Sequence, residues 1–168
     1  MGKIDCFECG AEMEAVRGAY RYGGDLGVIL RDVEIRRCPS CGEEEVVIPK
    51  IEELNRTIAT DIAKNSGRFS PAEIRFLRTY LGHSSRDLAN LMGVAAETVS
   101  RWESSRKPHP MGDTASRLLR VLVLSERPVE EYGLESLDTK APPGDRKRLV
   151  QFTGKGSSRE WKHHVAMP

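Results

Sequence analysis

The stretch LANLMGVAAETVSRWE, residues 88–103, decides the fold of the second half of the chain. Apolar residues recur at helical spacing on both sides of Gly93, and Gly93-Val94 has the length of the turn in a helix-turn-helix. After this turn, Val99 and Trp102 are expected to face a core. The stretch therefore predicts two short helices joined tightly, the second from about residue 95 to 104.

Another helix is predicted just before this stretch. Ser70-Pro71-Ala72-Glu73 is a capping box with Pro at the first helical position, which marks a helix start. Gly82 ends that helix, and Ser84-Ser85-Arg86-Asp87 opens the next one by a similar device. The buried stripe of the first helix is expected to be Ile74, Leu77 and Leu81.

Together these residues resemble the Cro-like (Xre-type) helix-turn-helix family over about residues 70–125. The resemblance implies that the helix starting near Ala95 enters the major groove of DNA, where Ala96, Glu97 and Arg101 read bases. Arg101 can donate a bidentate pair to guanine, whereas Glu97 can only accept and would read a cytosine amine. A carboxylate that interacts with the helix macrodipole is an equally good interpretation of Glu97.

Phosphate contacts are expected from hydroxyl and basic side chains around this helix, because such contacts position a protein without reading sequence. The expected set is Ser84, Ser85, Thr98, Ser100, Arg106 and Lys107.

The resemblance also implies a buried structural ion pair between Arg78 and Glu103. Two residues depart from the family pattern: Ala95 replaces a Ser or Thr cap, which costs about 1 kcal/mol, and Ser105 stands where Gly often follows.

The four cysteines of the chain form two pairs near its start, Cys6-x-x-Cys9 and Cys38-x-x-Cys41, each followed by Gly. Two residues between cysteines let both sulfurs converge on one ion. We expect no export signal, and disulfides would then fit poorly; a redox Cys-x-x-Cys would need a βαβ unit. We therefore expect one structural Zn²⁺ held by Cys6, Cys9, Cys38 and Cys41.

The 28-residue insert between the pairs is β-prone at residues 20–22 and 27–35, with a turn at Gly23-Gly24-Asp25. A hairpin of this kind would bring the second cysteine pair beside the first. Residues 1–49 contain too few apolar residues for a core that folds alone, so we expect metal binding to supply the missing ~10–16 kcal/mol.

Charge divides the chain, although its net charge is only +1. Residues 1–49 carry six basic and ten acidic side chains, and residues 66–127 carry ten basic and six acidic ones. An acidic module is therefore joined to a basic one, and the two are expected to have different partners.

We predict four parts: a zinc-binding module at 1–49, a linker helix at 50–66, a five-helix-type helix-turn-helix domain at 67–127 and a flexible tail at 128–168. The fold class is α+β.

The linker helix and the last helix could each contribute to a dimer. Ile51, Leu54, Ile58 and Ile62 recur at helical spacing in the linker, which either packs on a neighbouring module or helps to orient the modules or form a dimer. In the last helix Val121 and Leu124 lie off an apolar stripe formed by Ala115, Leu118, Leu119, Leu122 and Val123. This surplus favours a homodimer on a palindromic operator, although burial against the linker helix would also account for it.

The order of these parts resembles the MqsA/YgiT-type antitoxin family over most of residues 4–124, including the helix that contains Leu118-Leu119-Arg120-Val121-Leu122. The resemblance implies dimerisation through the C-terminal domain, repression of the protein's own operon and neutralisation of a ribonuclease-type toxin by the zinc module. An acidic module suits such a basic partner. In the family an Asn assists the matching Arg in base reading, and Glu97 stands there here, so a different operator sequence is expected.

Two other function classes compete with the antitoxin. One is a stand-alone zinc-finger and helix-turn-helix transcription regulator whose acidic module binds a small ligand or another protein. The other is a redox enzyme using Cys6 and Cys9, which we do not expect because no catalytic arrangement is evident.

No apolar run approaches the roughly 20 residues that span a bilayer, so we expect a cytoplasmic protein without membrane contact. In the tail, Arg146-Lys147-Arg148 fits a solvated charge run better than a phosphate contact.

Overall fold

The computed structural model describes residues 4–107 and 109–125, together with the backbone of strands at 148–153 and 160–165. The chain divides into two compact units. The first contains Met1–Glu53 with Arg146–Pro168, and the second contains Leu54–Asp145. No described helix combines the length and the hydropathy that crossing a bilayer requires.

The first unit is built on an antiparallel hairpin that the sequence predicted. Its turn is a single 3₁₀ turn at Gly24–Leu26, flanked by Gly23 and Gly27 in the left-handed region that glycine adopts most easily. A third antiparallel strand, which the sequence did not predict, follows the second cysteine pair. The strands are β1 (Glu14–Tyr22), β2 (Val28–Arg37) and β3 (Glu44–Val47).

A β-bulge at Asp32 interrupts the β1–β2 pairing. Gly18 faces Val33, but Tyr20 faces Leu30, so the second strand contains one extra residue. Asp32 has a φ of 57°, and the Arg17 Nη1 donates to its carbonyl oxygen at 2.6 Å. The bulge thus lies between two segments of β2, Val28–Arg31 and Glu34–Arg37, which pair with different strands on the edge opposite β1.

Two strands lie in the region predicted to be a flexible tail, and that part of the prediction is wrong. β4 (Arg148–Thr153) pairs in parallel with Val28–Arg31 of β2, and β5 (Glu160–Val165) pairs antiparallel with β4. The sheet therefore has five strands in the order β1-β2-β4-β5, with β3 also paired to β2. The pairing partner of β4 lies about 120 residues earlier in sequence, so no local pattern could reveal it. Residues 126–147, 154–159 and 166–168 of the predicted tail lie outside the described part of the chain.

The second unit contains helices, which confirms the α+β prediction. The helix α2 begins at the expected capping box, where the Glu73 amide donates to Ser70 Oγ and the Ser70 amide donates to a Glu73 carboxylate oxygen. The helix α3 begins with the same reciprocal bonds between Ser84 and Asp87. The helices are α1 (Ile51–Lys64), α2 (Pro71–Tyr80), α3 (Ser85–Met92), α4 (Ala96–Trp102) and α5 (Asp113–Leu124).

The predicted linker helix α1 belongs almost entirely to this second unit. It buries Leu54, Ile58 and Ile62, while Ile51 is 46 % exposed. Four helices, α2 to α5, lie in the described part of 67–127, and α1 is the fifth helix of the unit rather than a separate connector.

Helix α5 buries a different face from the predicted stripe. Its buried residues are Ser116, Leu119, Arg120, Val123 and Leu124, whereas Leu118 was expected in the stripe and is 36 % exposed. Arg120 is 1 % exposed. Its guanidinium donates to the carbonyls of Ala63, Asn65 and Gly67 at 2.6–2.7 Å. The helix turns this face inward because Arg120 caps the C-terminal end of α1.

Candidate metal centre and nucleic-acid interface

The sulfur atoms of the four cysteines form one cluster. All four Sγ atoms lie within 4.8 Å of one another. Cys6 Sγ is 3.6 Å from Cys41 Sγ, and Cys9 Sγ is 3.4 Å from Cys38 Sγ. The two pairs, separated by 28 residues in sequence, are thus brought together as the metal-site prediction requires.

The size of the cluster fits a tetrahedral metal ion. With Zn–S bonds of about 2.3 Å, the corners of a tetrahedron are about 3.8 Å apart. Four thiolates at these separations would repel one another strongly without a cation between them. The four cysteines therefore lie within metal-binding distance, in an arrangement consistent with zinc, and four sulfur ligands would leave no coordination position for a substrate.

Backbone hydrogen bonds hold each cysteine pair in a tight turn. The Cys6 amide donates to the Ala11 carbonyl at 2.7 Å, and the Gly10 amide donates to the Cys6 carbonyl at 2.8 Å. The second pair repeats this pattern, because the Cys38 amide donates to Glu43 and the Gly42 amide donates to Cys38. Gly10 and Gly42 have φ values of 73° and 79°, which explains why glycine follows each pair.

Amide donors also favour the ionised form of one thiol. Hydrogen bonds from the Cys41 and Ser40 backbone, the larger from Cys41, lower the pKa of Cys38 to about 6 despite its burial. At Cys41 a bond from the Glu43 backbone lowers the pKa, but the bond with the Cys38 thiol, burial and the other two thiols together raise it to about 12. Ionisation of one thiol thus opposes ionisation of its neighbour, and a cation at the centre of the cluster would relieve that opposition.

The predicted recognition helix α4 is anchored on one face and exposed on the other. Val99 is 0 % and Trp102 4 % exposed. Arg101 and Glu97 are exposed, and Ala96 is half-buried. Gly93, at a φ of 65°, ends α3 and makes the turn that directs the chain into α4. The helix therefore presents its predicted base-reading residues to the surroundings from a fixed support.

Ala95 occupies the N-cap of α4, as the sequence indicated, and makes no side-chain capping bond.

The residues predicted to contact phosphate lie on the surface around α4, with Ser84, Ser100, Arg106 and Lys107 exposed and Ser85 and Thr98 half-buried. Ser84 differs from the expectation in one respect, because its Oγ already accepts the Asp87 amide. Its hydroxyl proton remains a donor that a phosphate oxygen could accept.

The ion pair expected from the family resemblance is present. Arg78 donates from Nε to Glu103 Oε1 at 2.5 Å and from Nη2 to Oε2 at 3.1 Å. These bonds to Glu103 raise the pKa of Arg78. The sequence analysis missed Arg75, which donates to the Glu103 carbonyl oxygen at 3.0 Å. Both arginines lie on α2 and fix the end of α4, and their i, i+3 spacing was the available sequence signal.

Comparison with known protein families matches residues 74–127 to the family described as Helix-turn-helix. Comparisons with curated proteins and with solved structures gave no match. The matched segment begins within α2 and covers α3, α4 and α5, which are the helices that support and present Arg101. The second unit therefore contains an Xre-type helix-turn-helix domain, the DNA-binding part of a transcription regulator.

Proposed function

We propose that this protein is a sequence-specific repressor that binds the promoter of its own operon and acts as the antitoxin of a toxin–antitoxin pair. The observation that carries the DNA-binding part is the exposure of Arg101 on a helix whose opposite face is anchored by Val99 and Trp102. An exposed guanidinium on a fixed helix can form the bidentate guanine contact, which contributes roughly 1–3 kcal/mol of discrimination between bases.

In the proposed complex, Ala96, Glu97 and Arg101 face base edges, and the surrounding hydroxyl and basic side chains contact phosphates. The excess of four positive charges in residues 66–127 supports this arrangement, because DNA is polyanionic. Arg106 and Lys107 follow directly after α4 and are exposed, so they can approach the backbone beside the groove.

We propose that the operator-binding form is a homodimer. Leu118 and Val121 of α5 remain 36 % and 39 % exposed, and they are three residues apart on one face of the helix. An isologous contact through this face would place two copies of α4 on a palindrome with half-sites about 34 Å apart.

The first unit would bind the partner toxin. One Zn²⁺ held by Cys6, Cys9, Cys38 and Cys41 would supply folding free energy and no catalysis. The net charge of −4 over residues 1–49 supports a basic partner such as a ribonuclease. This combination of parts is also what the resemblance to MqsA/YgiT-type antitoxins implies. That the protein has no enzymatic activity stays a prediction.

The DNA-binding proposal is tested with a duplex from the protein's own promoter and an unrelated duplex of equal length. Wild-type protein should bind the promoter selectively, and Arg101→Ala should lose that selectivity while keeping salt-dependent unselective binding. The matched control is Arg106→Ala, which should weaken binding to both duplexes and reduce its salt dependence. Full selectivity in Arg101→Ala would show that α4 does not read the bases as proposed.

A stand-alone regulator is the second candidate. It is supported by the family match, which covers the DNA-binding helices and not the cysteine cluster. An adjacent, co-transcribed reading frame whose basic product arrests growth would favour the antitoxin. A gene without such a neighbour would favour the stand-alone regulator.

A further inference from the structure

The first cysteine pair exposes a large aromatic side chain completely. Phe7, which lies between Cys6 and Cys9, is 100 % exposed. Among the described residues, the other large apolar side chains that are exposed range from 36 % to 47 %, with Val16 the highest. Phe7 makes no contribution to the core of its own unit, so its position needs another explanation.

The backbone that supports Phe7 is held on both sides. Cys6 is buried and its amide and carbonyl are both hydrogen-bonded, and Cys9 belongs to the sulfur cluster. An aromatic side chain has two rotatable bonds, so fixing it costs little conformational entropy. A ring held on such a turn is therefore preorganised to insert into a pocket of another molecule.

The surroundings of Phe7 are acidic. Glu8 follows it directly, and Glu43 follows the second pair, whose Cys41 Sγ lies 3.6 Å from Cys6 Sγ. Neither pair contains a basic residue, and the adjacent Arg37 is paired with Glu44 at 2.7 Å. Four thiolates around one divalent metal would add two further negative charges.

This charge selects among the molecules that could cover Phe7. Nucleic acid is disfavoured because its phosphates would be repelled. A second copy would bring one acidic surface against another, which is also unfavourable. A basic protein is attracted to the acidic residues while a pocket on its surface takes the ring.

We propose that Phe7, together with Glu8 and Glu43, forms a docking surface for a basic protein, in which Phe7 inserts into an apolar pocket of the partner. This inference rests on the proposed antitoxin function and names the part of the first unit that the toxin contacts. Phe7 is the apolar anchor of the contact, since buried aromatic side chains are frequent hot spots of interfaces. Glu8 and Glu43 accelerate association and make it salt-dependent.

The test uses the full zinc-loaded chain and the co-expressed product of the adjacent reading frame. Phe7→Ala should raise the Kd about 30-fold, and Phe7→Leu should raise it less because part of the apolar contact remains. The matched control is Val16→Ala, a partly exposed apolar residue of the same unit, which should change the Kd less than threefold. The double variant Glu8→Gln, Glu43→Gln should slow association and flatten its salt dependence.

Zinc content and promoter binding of each variant show that both units are intact, which removes misfolding as a cause. If the wild type binds the partner and Phe7→Ala binds within threefold of it, the docking surface is wrong and the antitoxin function stands. If the wild type does not bind the adjacent product, the antitoxin function fails and this inference fails with it.

Discussion

Replacing Arg120 tests whether α1 is fixed to the helix-turn-helix unit through a single buried side chain. Three of its hydrogen bonds, to the carbonyls of Ala63, Asn65 and Gly67, are 2.6–2.7 Å long. The guanidinium also lies 4.2 Å from the centre of the Phe69 ring. Arg120→Met keeps much of the length and volume of the side chain but removes all of these polar contacts.

The expected loss follows from two opposing terms. Each carbonyl left without a partner costs about 1–3 kcal/mol. Removing the buried guanidinium returns several kcal/mol, because burial of this charge is unfavourable, as its lowered pKa indicates. We expect Arg120→Met to lower the free energy of unfolding by about 3 kcal/mol. Arg120→Lys should lower it less, since an ammonium keeps the charge but cannot span the same three carbonyls.

Urea denaturation followed by helical circular dichroism measures this loss. The matched control is Arg117→Met on the same helix, where the side chain is exposed and the change should stay within about 0.5 kcal/mol. Hydrogen exchange at residues 63–67 should rise in Arg120→Met and not in the control. A loss below about 1 kcal/mol in Arg120→Met would show that the cap contributes little and that apolar packing alone holds α1.

Three further predictions concern the two units. Glu103→Gln should lower the free energy of unfolding by roughly 2–3 kcal/mol in urea melts, because Arg78 keeps its burial and loses its ionic partner. Hydrogen bonds with the side chain of Ser84, and then with its backbone, lower the pKa of Asp87. The ionised Asp87 carboxylate therefore stabilises the fold above pH 3.8, and this stabilisation is lost as the pH falls through the lowered pKa. Asp87→Asn should remove this acid dependence from a series of melts, and an unchanged profile would contradict the assignment. Cys38→Ser or a chelator should release the metal and unfold the first unit while the helical signal of the second persists, and loss of both signals together would contradict this.

Much of the site could be predicted because its signals are local. The capping boxes at Ser70 and Ser84, the turn at Gly93 and the paired cysteines each lie within a few residues, so their geometry follows from spacing alone. The exposure of Arg101 follows from the same helical periodicity, since Val99 and Trp102 fix which face is buried.

The missed features depend on groups that are distant in sequence. Arg120 resembles a solvent-facing residue in an apolar helix, and only the position of carbonyls more than fifty residues earlier explains its burial. The strands β4 and β5 join the sheet only because β4 pairs with β2, about 120 residues earlier, and β5 then pairs with β4. Asp32 shows the same limit, since its left-handed backbone is fixed by Arg17 from the neighbouring strand.

The order of the strands has a consequence for biosynthesis. The helical unit lies between the two parts of the chain that build the sheet, so ribosomes finish the helices before they make β4 and β5. Val28–Arg31 can pair with β1 early, but its other edge must wait for a main-chain partner that emerges more than a hundred residues later. During that interval the nascent protein has a complete helix-turn-helix domain and an open sheet edge. A chaperone or a newly made binding partner then has the best access to that edge.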